Sequence, residues 1–251
     1  GNFITGIWLM FQNNLLMAAA SGGGYAITKS CTFNGSDEKM TRTWSASPTA
    51  NDIWSLSIWL ERDAASGKEG YFGPVIQASR NGSVKFITGD VIEIYNDNAT
   101  HAIDRKTNNT VGTDWVHLLH TFELGASPNP IKIYIDGTEA TYSYSLDQGS
   151  SGYAINHASQ IHDVGRTYHD AGYFAGDIAE VVFIDGSVIS VGDVYDGGKA
   201  VDPSGLTFGD DGFHLNFEDS SDLGKDVSGN GNDFALHNID SGNQSTNVPP
   251  Q

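Results

Sequence analysis

Ile53-Trp54-Ser55-Leu56-Ser57-Ile58-Trp59-Leu60 sets the period of this chain. Side chains of a strand alternate between its two faces. Trp54, Leu56, Ile58 and Leu60 therefore share one face, and Ser55 and Ser57 lie on the other. An apolar stripe backed by serine predicts a strand with one face against a core. Further along, 115–124 is a second run rich in apolar residues. Ile131, Ile133 and Ile135 alternate with Lys132 and Tyr134 and run into Asp136-Gly137. That dipeptide accepts positive φ and predicts a hairpin. Val181-Val182-Phe183-Ile184 before Asp185-Gly186 repeats the signal. Residues 29–33, 84–87, 91–95, 142–145, 160–164 and 213–217 read as further short strands. Gly, Asn, Asp and Ser cluster between them, which predicts an all-β sandwich or barrel. Helical patterning is confined to one short turn-rich stretch, 188–197.

Composition agrees with one such domain. The chain has 251 residues, 30 of them glycine, and a net charge of −18. Sandwiches of about 200–250 residues commonly form a single unit. The 13 basic residues are scattered among 31 acidic ones. A phosphate-backbone or anionic-membrane partner needs clustered Lys and Arg, so neither nucleic acid nor membrane is expected. An acidic surface suits neutral ligands or divalent cations. The single cysteine, Cys31, excludes an internal disulfide and the two-Cys and four-Cys zinc sites. Beside Phe33 it reads as a small buried hydrophobe.

Three segments follow. Residues 1–24 form an apolar arm and a Gly-rich joint, 25–238 the sandwich, and 239–251 a polar tail that would order only where it packs. The arm lacks the basic start of a secretory signal. Gln12, Asn13 and Asn14 interrupt it too early for a spanning helix. Its Ile7, Trp8, Leu9, Met10 and Phe11 are expected to bury against another surface.

Ser30-Cys31-Thr32-Phe33-Asn34-Gly35 followed by the Trp54–Leu60 stretch resembles the opening of concanavalin A-like lectin/glucanase domains of the laminin-G and pentraxin kind. Trp115-Val116-His117 with Ile133-Tyr134-Ile135-Asp136-Gly137 resembles their central hairpin. Gly176-Asp177-Ile178-Ala179-Glu180-Val181 resembles a late strand of theirs. Asp226-Val227-Ser228-Gly229-Asn230-Gly231-Asn232-Asp233 resembles a loop that usually stands near the start of such domains, whereas here it stands near the end. The resemblance implies a two-sheet antiparallel jelly roll. The layout as a whole also resembles structural proteins of marine tailed bacteriophages. That implies a fibre, spike or decoration protein on the virion surface, trimeric and bound to capsid or tail proteins through its arm.

Catalytic patterning is absent. Laminarinase-type members carry E-x-D-x-x-E on one strand, and Glu61-x-Asp63 lacks the third acid. Glu93 and Glu180 stand alone in apolar strands, and Glu180 reads as a strand-edge or outward carboxylate. His117 and His120 fall on opposite strand faces and cannot share a metal. No enzyme activity is expected. Calcium is the one cofactor the residues suggest. Asp226, Asn230, Asn232 and Asp233 offer hard oxygens in a Gly-rich loop. Tight turns alone account for the same residues. Tyr142, Tyr144, Tyr153, Tyr168 and Tyr173 are candidate platforms for a host glycan, since tyrosine joins apolar area to a polar tip. Sheet packing is the competing explanation. The resulting expectation is a non-enzymatic virion lobe with a lectin-like sandwich. A calcium-dependent lectin and a divergent glycoside hydrolase are the alternatives.

Overall fold

The structure is a computed structural model that describes residues 24–45, 47–64, 67–75, 80–126, 130–149, 151–168 and 172–251. The arm residues Ile7, Trp8, Leu9, Met10 and Phe11 lie outside these. The strands are β1 (Ser30–Asn34), β2 (Lys39–Thr43), β3 (Ile53–Arg62), β4 (Glu69–Pro74), β5 (Gly82–Ile87), β6 (Val91–Asp97), β7 (Ala102–Thr110), β8 (Val116–Glu123) and β9 (Ile131–Ile135). They continue with β10 (Thr138–Glu139), β11 (Tyr142–Asp147), β12 (Ile161–Val164), β13 (Ala175–Asp185), β14 (Tyr195–Asp196), β15 (Lys199–Ala200), β16 (Phe213–Leu215), β17 (Ala235–His237) and β18 (Gln244–Ser245). Two antiparallel sheets form a sandwich. The first has the order β10-β9-β8-β3-β13-β1-β18, with β16 also on β13. The second has the order β11-β7-β6-β5-β4-β12-β2-β17. Among the described residues, no helix is long and apolar enough to cross a membrane.

The core is the set of inward stripes. Trp54, Leu56, Ile58 and Leu60 of β3 meet Phe72, Val84, Phe86, Ile92 and Ile94 of the second sheet. Trp44 sits at the centre, stacked on His162 at 3.8 Å between ring centroids and edge-on to Phe183, Phe213 and Phe234. Cys31 is buried among them. Asp136 and Gly137 have φ of 45° and 77°, as a tight hairpin between β9 and β10 requires.

Two expectations change. The serine face of β3 is buried as well, because residues 187–208 fold back over it: Ser55 Oγ donates to the Ser187 carbonyl at 3.0 Å and accepts from Ile189 N at 3.1 Å. Asp185-Gly186 makes no hairpin. The Asp185 carboxylate instead accepts from Thr49 N at 2.6 Å, Asn156 Nδ2 at 2.8 Å and Asp211 N at 3.1 Å, tying three loops to the end of β13. The Asp226–Asp233 loop connects β16 in the first sheet to β17 in the second, so this late segment completes both layers.

Candidate functional site

The second sheet leaves the β6, β7 and β11 part of its outer face partly open, and the period of its strands decides what stands there. With Val84, Phe86, Ile92, Ile94 and Ile103 turned inward, the intervening residues point out. One row across the strands runs Gly70, Lys85, Glu93, Lys106, Tyr144. The next runs Ser83, Tyr95, Asp104, Leu146. Beyond Tyr95 lies a polar pocket of about 190 Å³, lined by Tyr95, Asp97, Thr100, His101 and Gln148.

Charge on this face is internally matched. Glu93 lies between Lys85 and Lys106, 2.8 Å from each ammonium, and Lys106 reaches Asp104 at 3.5 Å. Burial pushes the Glu93 carboxyl up, but hydrogen bonds from Lys106 and Lys85 outweigh it and hold it below the usual range. Asp104 goes the other way. Burial and then the Glu93 charge raise it to about 6, and the two lysines offset this only in part. Its Oδ1 is buried without a hydrogen-bond partner. The Tyr95 hydroxyl donates to Asp97 Oδ2 at 3.0 Å. Burial and that carboxylate push the phenol up to about 12, so it stays a neutral donor. The face thus offers two rings, matched charges and hydroxyl-sized polar contacts, and Glu93 is engaged too fully to act as a free base.

The structure separates the five candidate tyrosines. Tyr142 and Tyr144 share β11 at the sheet edge. Tyr142 lies 4.7 Å from the Arg105 guanidinium and accepts from Ile133 N at 3.0 Å. Tyr144 is 45% exposed, with the Lys106 ammonium 5.0 Å from its ring. Tyr168 and Tyr173 both lie against Arg166 instead, at 3.6 and 4.8 Å from ring to guanidinium. Tyr153 is fully buried, edge-on to Phe122, and has no face to offer a ligand. Tyr95, which belongs to this face, escaped notice because it lies outside the stretch 142–173 from which the candidate tyrosines were drawn.

The calcium residues form a closed hydrogen-bonded knot. Asp226 Oδ1 accepts from His214 N and Ser228 N, both at 2.9 Å. Its Oδ2 accepts from Ser228 Oγ at 2.8 Å and Asn232 N at 2.9 Å. Asp233 Oδ1 accepts from Asp226 N at 2.8 Å. Asn230 and Asn232 turn their amide donors to the carbonyls of Gly209, Asp210 and Gly212. These carboxylate oxygens are each engaged by N–H or O–H donors, a geometry that suits the turn-making reading. Among the described residues, no group of three His, Cys, Asp or Glu side chains is placed to hold a metal. His117 and His120 do occupy opposite faces: His117 Nε2 meets Ser57 Oγ at 2.8 Å, and His120 Nε2 meets Tyr71 Oη at 3.0 Å across the core.

The first sheet's outer face is covered. Ile27, Trp59, Ala179 and Ala200 cluster there beneath Tyr25, Trp115, Tyr195 and Val248. Glu180 points outward but is buried on a central strand. It accepts from Tyr25 Oη and lies 2.9 Å from His214 Nε2. The backbone bulge between Ile178 and Glu180 turns it to this side.

Comparison with known proteins agrees with this architecture. A candidate carbohydrate-binding protein from Bacteroides ovatus superposes with a TM-score of 0.61 at 14% identity, over 90% of this chain and 62% of that one. The chain therefore spans less than two thirds of that protein. Domain 4 of a GH43 extracellular arabinanase from Geobacillus stearothermophilus, in complex with arabinotriose, gives 0.49 at 19% identity, over 66% of this chain and 75% of that one. A heptameric SAP-like pentraxin from Limulus polyphemus gives 0.48 at 11%, over 65% and 78%. No curated protein matches the sequence. A family model matches residues 34–195, which covers more than half of the chain and both sheets of the sandwich, and the chain accordingly belongs to the concanavalin A-like lectin/glucanases superfamily.

Proposed function

We propose that this chain is a non-catalytic saccharide-binding lobe, and that the open face of the second sheet is its binding surface. The observation that carries the reading is the juxtaposition of Tyr95, the polar pocket beside it, and the exposed Tyr144 ring. Sugar rings stack on tyrosine through their C–H faces, while their hydroxyls need nearby polar partners; a few convergent polar groups beside an apolar platform meet both needs. The matched charges favour a neutral saccharide over a strongly charged one. The carbohydrate-binding description of the Bacteroides protein points the same way.

The wider setting belongs to the same proposal. The lobe is displayed on a phage virion as part of a homotrimeric fibre, spike or decoration protein, joined to capsid or tail proteins by the apolar arm, with a host glycan as its target. The apolar run 7–11 supports this reading. A glycan array probed with the full chain tests the saccharide part. Binding that Tyr95→Ala and Tyr144→Ala each weaken supports it, and silence across the array refutes it. Loss of particle incorporation on replacing Trp8 and Phe11 by serine tests the arm.

A further inference from the structure

The pocket beside Tyr95 is walled by the turn between β6 and β7 and by Gln148, which follows β11. At about 190 Å³ it falls below the roughly 300–1,000 Å³ of sites that enclose a whole ligand, so it fits a substituent and not a sugar ring. Its polar groups are mostly spent on the turn itself. Asn98 Oδ1 accepts from Thr100 N at 3.2 Å, Thr100 Oγ1 at 3.0 Å and His101 N at 2.9 Å. Asp97 Oδ1 accepts from Asn81 N at 2.8 Å and Ala99 N at 3.3 Å, and its Oδ2 accepts from the Tyr95 hydroxyl. Two wall groups keep a free atom among the described residues. Gln148 Oε1 accepts from Ala102 N at 2.5 Å, which leaves its Nε2 an unpaired donor. Thr100 Oγ1 gives its proton to Asn98, so it accepts from His101 Nδ1 at 2.9 Å. In the neutral ring the proton then sits on Nδ1, and Nε2 is an unpaired acceptor. Ala99 and Ala102 add methyl groups to the same wall. Ala99 is exposed and holds φ of 77°, a conformation that favours glycine. A methyl group is kept there at a steric cost.

We propose that this pocket takes the acetamido group of a 2-acetamido sugar whose ring lies against Tyr95. The inference rests on the saccharide reading and names the class of sugar. A secondary amide carries one acceptor and one donor. Its carbonyl oxygen accepts from Gln148 Nε2, its N–H donates to His101 Nε2, and its methyl group packs on Ala99 and Ala102. Other substituents match this wall less well. A hydroxyl is too short to meet both free nitrogens and brings no methyl group. A carboxylate has no N–H for His101 and is repelled by Asp97. An ammonium has no acceptor for Gln148. The acetamido group is uncharged, in keeping with the matched charges on the rest of the face.

The test uses the full chain and a glycan array printed in matched pairs, each 2-acetamido glycan beside its 2-hydroxy counterpart, with chitotriose and cellotriose among them. The acetamido member of a pair is expected to bind at least about tenfold more tightly, a difference of about 1.4 kcal/mol. Gln148→Glu keeps an acceptor for Ala102 N but replaces the free donor by an oxygen, and removes most of that preference. Ala99→Gly relieves the positive φ, so the Tm holds or rises while the preference still falls. A purely structural role for the turn would not move the two in opposite directions, and this variant serves if the glutamate variant folds poorly. Binding that depends on Tyr95 but is equal for both members of every pair overturns the acetamido assignment and leaves the saccharide reading standing. A preference that survives both variants also overturns the assignment. Silence for every glycan overturns the assignment and the saccharide reading together.

Discussion

The two outer faces of this sandwich use the same strand period to opposite ends. On the first sheet the outward residues Ser55, Ser57, Trp59, His117 and Glu180 are all buried under residues 187–208, the segment from Gly24 to Lys29, and the segment around Val248. On the second sheet the outward rows bury Ser83, Lys85, Glu93 and Asp104 but keep Tyr95, Lys106 and Tyr144 at least partly in solvent. A covered face contributes stability through packing and must satisfy its polar groups internally. An open face contributes little to stability and is free to bind.

Substitution should separate the two most strongly. Trp59 lies 5.0 Å from the His117 ring and 5.7 Å from Tyr195. Trp59→Ala is expected to cost about 3–5 kcal/mol, read by urea denaturation. Tyr144→Ala should stay within about 0.5 kcal/mol. Equal losses would break the distinction between the faces.

Acid should act through the interior. Burial lowers His117, His120 and His162 to about 3. Below the unfolded value of about 6.5, the unfolded chain takes up protons that the folded chain refuses. Stability is therefore intact above pH 6.5 and falls as pH drops toward 3, by up to about 1.4 kcal/mol per pH unit for each histidine. Asp104 opposes this between its unfolded and folded values, because its raised folded pKa lets the native state hold the proton. Glu69, also raised by burial, acts in the same sense, and two carboxyls against three imidazoles leave a net loss. A Tm that is flat from pH 7 to 4.5 would contradict the burial of these rings.

A smaller effect is expected at the knot joining the two sheets. Asp226→Ala strands the amides of His214, Ser228 and Asn232 and should cost about 2–3 kcal/mol. Calcium or a chelator should leave the wild-type Tm unchanged. A calcium-dependent rise that this variant abolishes would restore the metal reading.

Local pattern made much of the fold legible. The β3 stripe, the Asp136-Gly137 hairpin and the strands at 30–34 and 161–164 follow from period and turn chemistry. Strand β7, Ala-Ile-Asp-Arg-Lys-Thr-Asn-Asn-Thr, escaped because its outward residues are charged and its stripe is short. Those charges, Asp104 and Lys106, belong to the candidate site. Asp185-Gly186 misled because a turn dipeptide reports local φ and not what the carboxylate will later bind. Covering of the first face was illegible for a related reason: it depends on residues 60 to 190 positions away in sequence, such as Ser187 over Ser55 and Asn247 over Glu61. The five tyrosines were grouped by proximity in sequence, and the fold dispersed them between an edge strand, an arginine clasp and the core.

Amide chemical-shift mapping with the tightest-binding saccharide from the glycan array separates the two faces. Perturbations are expected on outward residues of β5, β6, β7 and β11, centred on Tyr95, Asp104 and Tyr144, with β3, β8 and β13 quiet. Perturbations centred on the first sheet would contradict it.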